Sequence, residues 1–164
     1  MIVVSDTTPL ISLMKIGRLG LVEQLFGEIQ IPDAVYTELT ANSKFWEEAQ
    51  QIQNSSFIKR IAIDDSKSVD LLRRATGLDK GESEAIILSD TCHADLLLMD
   101  EMKGRQVAEQ MGLHLMGTVG MLRVAYEEKL LSYENIMECI EILRANSRHI
   151  SDRLFRQLVE YIQP

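Results

Sequence analysis

Strand-like segments recur in this chain at residues 2–5, 28–31, 57–63, 96–99 and 113–116, with helical patterns between them. Parallel neighbours need a crossover of about a dozen residues or more, usually a helix. The alternation therefore predicts an α/β fold on a parallel sheet of about four to five strands. The run Leu96-Leu97-Leu98-Met99 is apolar throughout and fits a central strand covered on both faces. Residues 57–63 place apolar groups on both sides of Lys59-Arg60, which suits an edge strand. In such a sheet, ligands and catalytic groups collect beyond the carboxyl ends of the strands.

The helical patterns have recognisable ends. Leu10, Ile11, Leu13 and Met14 form the first, with Thr8 expected as N-cap and Pro9 at the first helical position. A short second helix carries Leu21, Val22 and Leu25, and Pro32-Asp33 opens a third that contains Val35, Glu38 and Leu39. Residues 42–56 are mostly polar, with Phe45, Trp46 and Ile52 as their large apolar groups. Residues 64–74 read as a helix closed by Gly77, Asp79 opens a helix over 80–92, and another covers 103–111. Three more are expected near 119–127, 133–144 and 151–162.

A chain of 164 residues, 46% hydrophobic, suits a single domain over 1–164 with one buried core. No stretch approaches the roughly 20 apolar residues of a membrane span, and the start MIVVSDTTPL lacks a basic leader, so a cytoplasmic location without a membrane partner is expected. Cys92 and Cys139 are distant, form no Cys-x-x-Cys pair and read as buried thiols. His93, His114 and His149 lack metal-ligand spacing. A net charge of −8 counts against a protein that grips nucleic acid over a broad surface. It is compatible with an enzyme whose bound cations cancel an acidic site, provided local basic groups help. Lys103 and Arg105 are candidates, as are Arg144, Arg148, Arg153 and Arg156; each also reads as part of a solvated helix face.

Four acids stand at strand ends or helix starts. Asp6 follows the first strand, where it is either a turn-capping residue or a free carboxylate at the sheet edge. Glu38 lies on the border of a buried helical stripe, able to reach a cleft or simply partly exposed. Glu82 falls three residues after Asp79, as in a capping box, and the helix dipole alone favours an acid there. Glu84 is about 200° round that helix from Glu82 and should not share its face. Asp100 ends the apolar fourth strand and could instead cap the next helix, with Glu101 satisfying the dipole. If these acids converge they need a cation or a proton, because two carboxylates about 4 Å apart repel by roughly 4 kcal/mol at an effective dielectric near 20. Hard oxygen ligands suit Mg²⁺ or Mn²⁺. Dinucleotide, nucleoside-triphosphate and serine-hydrolase chemistries lack their Gly-x-Gly-x-x-Gly, phosphate-loop and Gly-x-Ser-x-Gly signatures, and a phosphoaspartyl phosphatase would want an acid where Thr8 stands.

The segments SDTTPLI, IPDAVYTEL, LDKGESEAI and ADLLLMDEMKGRQVA, in that order, resemble PIN domains. The closest likeness is to a prokaryotic subfamily with a Gly-Glu-x-Glu-Ala motif, within the superfamily of VapC-type toxin ribonucleases. It runs roughly to the helix after Gly117. The resemblance implies a three-layer α/β/α fold with a core of about 1–128 and a helical extension of about 129–164. It also implies an Mg²⁺- or Mn²⁺-dependent ribonuclease, often the toxin of a toxin-antitoxin pair, with an RNA substrate, a small antitoxin partner and a homodimer. By position, Asp6, with Thr7 as its hydroxyl neighbour, resembles the first family acid and Glu38 the second. Glu82, eighteen residues before Asp100, stands where the family usually has Asp, so its carboxylate reaches one methylene further.

On that basis Asp6, Glu82 and Asp100 are expected to hold metal, with Glu101 as an added ligand. Glu38 would orient or deprotonate water, and Thr7, Lys103 and Arg105 would meet RNA. The competing expectation is a module that keeps the fold without catalysis and binds RNA or a small antitoxin-like protein. Phe45-Trp46 would either anchor a partner or pack onto the sheet edge.

Overall fold

Five parallel strands, β1 (Val3–Ser5), β2 (Ile29–Pro32), β3 (Ile58–Ile61), β4 (Leu96–Leu98) and β5 (Leu115–Met116), form a sheet in the order β3-β2-β1-β4-β5. The structure, a computed structural model, describes residues 1–146 and 150–163. The strand order reverses between β1 and β4, the place where open α/β sheets leave a crevice for ligands. Ser5 is level with Leu98, so Asp6 and Asp100 leave neighbouring strands at the same edge.

Pleating sorts the strand residues into two cores. Val3 and Leu98 point into the larger one with α1 (Thr7–Lys15), α2 (Leu21–Phe26), α3 (Asp33–Thr40), α8 (Thr118–Glu127), α9 (Tyr133–Asn146) and α10 (Asp152–Ile162). Val4, Leu97 and Met99 point the other way, with Leu78 and side chains of α6 (Lys80–Thr91) and α7 (Met102–Gln110). Leu72 of α5 (Ser66–Thr76) packs against that second core. Helices thus flank both faces of the sheet, the three-layer α/β/α arrangement. Phe155, Ile136, Leu143 and Ile162 of the last two helices share the core that holds Leu10 and Leu13 of α1. Among the described residues no helix is long and apolar enough to cross a membrane.

Two local expectations change. α1 begins at Thr7, so Asp6 and not Thr8 occupies the N-cap position. The Asp6 N–H still bonds to the Leu98 carbonyl at 2.9 Å, so the chain turns from strand to helix without a spare residue, and Pro9 falls in the first turn, where it needs no N–H partner. The polar stretch after α3 folds as a 3₁₀ turn (Ser43–Phe45) and α4 (Trp46–Asn54). Ala49 and Ile52 alone bury from α4, too narrow a stripe to stand out in sequence. Phe45 and Trp46 are 53% and 64% exposed, so neither is buried against the sheet edge. Cys139 is buried, whereas Cys92 caps the end of α6 half-buried. His93 and His114 are exposed; His149 and Arg148 lie outside the described residues.

Candidate functional site

Each acid is delivered by a short-range rule and brought together by the sheet. Asp6 follows β1 with extended backbone and only 3% exposure, yet makes no capping hydrogen bond to α1. Glu38, on α3, is exposed, and its Oε2 accepts a 2.9 Å bond from Thr7 Oγ1, which ties it to the turn that carries Asp6. Glu82 is buried in the first turn of α6, within a capping box: its N–H donates to Asp79 Oδ1 at 2.8 Å, and its Oε2 accepts from the Asp79 N–H at 3.1 Å. Glu101 precedes α7 and lies in hydrogen-bond contact with Glu82. Two carboxyl groups take up such a contact by sharing a proton or a cation.

The electrostatics follow from this crowding. Burial is the largest influence on Asp6, the Thr7 N–H opposes it, and Glu82, Asp79 and Glu38 add repulsion; together they push the pKa to about 8. Glu82 is raised to about 7, by burial first and then by Glu101, with Lys103 pulling the other way. Although Glu38 as a residue is exposed, its carboxyl is partly withdrawn from water at the Thr7 bond, which raises its pKa, against the Thr7 hydroxyl and with help from Asp79, Glu82 and Glu84.

Asp100 differs. Its Oδ1 accepts from the Thr118 N–H and its Oδ2 from Thr118 Oγ1, both at 2.7 Å, so it holds the start of α8 and not that of α7. Glu101, at the N-cap position of α7, makes no capping bond there. Arg105 Nη1 donates to the Met99 carbonyl at 2.7 Å, beside Asp100. A Cβ on Gly117 would meet Asp100 Oδ1 at 2.7 Å, so the glycine is what lets Asp100 approach Thr118.

Several residues have a part in the site that their local sequence roles did not indicate. Asp79 is an N-cap whose charge also acts on Asp6 and Glu38. Glu84, 6% exposed, reaches from α6 to accept a 3.0 Å bond from the Ala34 N–H, which caps α3 and so fixes the helix that carries Glu38. Gly81 lets α6 lie against the Glu38 carboxylate; any Cβ there would collide with Oε1. The motif Gly-Glu-x-Glu-Ala held these three signals together: close approach, site acid and helix anchor. Of the candidate basic groups, Arg144 and Arg156 pair with Asp152 at 3.1 and 3.4 Å, while Lys103 acts on Glu82.

The fold, the strand-end acids and the Gly-Glu-x-Glu-Ala helix start point one way, and a family model described as a PIN domain matches residues 2–163. The chain belongs to the PIN-domain family. The match runs on through α9 and α10. No curated protein matches the chain. PIN domains are often nucleolytic, and an RNA-related function is consistent with this fold.

Among the described residues, no group of three or more His, Cys, Asp and Glu is arranged to hold a metal ion by itself. The donors around Asp6 and Glu82 are carboxylate oxygens, the kind preferred by Mg²⁺ and Mn²⁺, and Mg²⁺ characteristically takes one or two carboxylates and leaves the rest of its shell to water and substrate phosphate. The residues fit a hydrated ion of that type.

Proposed function

We propose that the chain is an Mg²⁺- or Mn²⁺-dependent endoribonuclease. The observation that carries this is Asp6, a carboxylate removed from water at the end of β1 on which Glu82, Asp79 and Glu38 all act repulsively. Asp6 and Glu82 would hold the ion, with Glu101 beside Glu82 and Asp100 leaving the neighbouring strand at the same sheet edge. When bound, such an ion polarises the scissile phosphate and lowers the pKa of a coordinated water. Glu38 is oriented by the Thr7 hydroxyl, and its pKa is raised from its ordinary value, first by desolvation of the carboxyl, which makes it a stronger acceptor for a proton from water. Lys103 supplies a positive charge that acts on Glu82.

The test is cleavage of defined single-stranded RNAs in Mn²⁺ by the parent and by Asp6→Asn. A loss of at least about a hundredfold is expected, since even supporting groups around a metal cost 10–100-fold. Equal activity in the two proteins would overturn the proposal.

In the same reading the enzyme is the toxin of a toxin-antitoxin pair and forms a homodimer, as the resemblance implies, with the exposed Phe45-Trp46 pair as an anchor for a small antitoxin. Trp46→Ala with unchanged antitoxin affinity would remove that anchor. A second reading, a fold retained without catalysis that binds RNA or an antitoxin-like protein, is favoured by the lack of a three-ligand cluster among the described residues and by Glu in place of the family's usual Asp at position 82. Calorimetric titration separates the two: saturable Mn²⁺ binding that depends on Asp6 belongs to the enzyme alone.

A further inference from the structure

We propose that the end of α5 and the start of α7 form a track for the phosphate backbone of single-stranded RNA, with Arg73, Arg74 and Lys103 as its contacts; this rests on the ribonuclease reading above. A cavity of about 500 Å³ lies here, lined by Asp70, Arg73, Arg74, Gly77 and Leu78. Gly77 closes α5 in the left-handed conformation, at φ 74°, and Lys103 Nζ stands 3.1 Å from where its Cβ would be. The same ammonium acts on Glu82. Lys103 therefore joins the cavity to the acid site, and the arginines continue the positive charge away from it.

Arginines in the last turn of α5 would complement the helix dipole wherever they pointed. Two facts ask more of these. In a chain with eight excess negative charges, Arg60, Arg123, Arg144 and Arg156 pair with carboxylates; Arg73 and Arg74, like Arg18, Arg105 and Arg153, enter none of the ion pairs among the described residues, but of that group it is these two that line the cavity, and they stay unpaired with Asp70 one turn earlier. The third cation arrives from a different helix, so helix-dipole complementarity in α5 does not account for the cluster. Guanidinium forks match phosphate oxygens, and a flexible single strand can follow a short basic path into an acidic site where a double helix would meet repulsion along its length.

The experiment measures fluorescence anisotropy of a labelled single-stranded RNA of about 12 nucleotides across a salt series in Mg²⁺, with Asp6→Asn as the cleavage-blocked parent. Adding Arg73→Gln, Arg74→Gln and Lys103→Gln should weaken binding at least about tenfold and flatten the salt dependence by about 2, since each phosphate contact on a single strand contributes about 0.7. The Arg73→Lys, Arg74→Lys pair should keep most of that slope, and circular dichroism checks that each variant is folded. Removing three charges from the opposite layer, Arg144→Gln, Arg153→Gln and Arg156→Gln, should leave the slope unchanged. Equal losses from the two triple variants would reduce the effect to net charge and overturn the track, as would an unaltered affinity for the first triple; both leave the ribonuclease reading standing. If the Asp6→Asn protein binds no RNA even at low salt, the track falls, because its three cations do not depend on Asp6; the ribonuclease reading is then decided by the cleavage assay.

Discussion

Asp6 and Asp100 leave adjacent strands at one edge of the sheet, and on topology alone they are equivalent. Their surroundings set them apart. Asp100 receives two 2.7 Å hydrogen bonds from Thr118, donors that stabilise its charge. Asp6 is more deeply buried and faces Glu82, Asp79 and Glu38, which oppose its charge. Position brings a carboxylate to a site, and the supply of donors decides how readily it carries a charge there. Three groups, Asp6, Glu38 and Glu82, are left with raised pKa values, so each holds its proton more tightly than usual, whereas Asp100 is partly satisfied by the protein itself.

The sharpest test of that contrast is the sign of two substitutions. In the metal-free protein Asp6→Asn should stabilise by roughly 2–4 kcal/mol at pH 8 and by almost nothing near pH 4. The reason is linkage. The folded pKa of Asp6, about 8, lies above its ordinary 3.8, so the folded state binds more protons in between; stability is highest below 3.8 and falls as pH rises through 8. Glu82, raised to about 7, and Glu38, also raised, act in the same direction. Urea unfolding of the parent across this range should show the decline, and saturating Mn²⁺ should reverse it by about 2.7 kcal/mol at a hundred times Kd. A parent equally stable at pH 4 and pH 8 would erase the distinction drawn for Asp6.

Asp100→Asn should do the opposite and destabilise by about 1.5–3 kcal/mol at pH 7, because charge-assisted bonds to Thr118 weaken. Stabilisation in the same unfolding assay would place Asp100 with Asp6. Glu84→Leu should cost about 1–2 kcal/mol, as expected for a lost helix cap, and speed amide exchange at Ala34, while Glu84→Gln keeps an acceptor and changes both little. Matching exchange rates in the two variants would remove Glu84 as the anchor of α3.

The smallest change in stability is expected from Gly81→Ala. Alanine favours the helix by about 0.5–1 kcal/mol, but its Cβ must displace the Glu38 carboxylate, so stability should shift by less than about 1 kcal/mol while RNA cleavage drops about tenfold. Unchanged cleavage would show that the position of Glu38 is not critical.

Much of this arrangement could be read from local pattern. The capping box of Asp79 and Glu82, the closure of α5 at Gly77 and the edge position of β3 each depend on neighbours within a few residues, and each appears as the pattern suggested. Where the determinant was distant, pattern fell short. The bond from the Asp6 N–H to Leu98, 92 residues away by number, set the start of α1. Glu84 meets Ala34 across 50 positions, and Thr118 meets Asp100 across 18. None of these pairings leaves a local mark.

By itself, the order of residues determined the alternation of strands and helices, the apolar central strands and the delivery of acids to one edge, since these follow from periodicity and from the geometry of parallel crossovers. Only the tertiary structure decided which carboxylates repel and which are satisfied. A pKa responds to burial, to charges a few ångströms away and to the donors that fill each lone pair, and packing alone brings those partners together from remote parts of the chain.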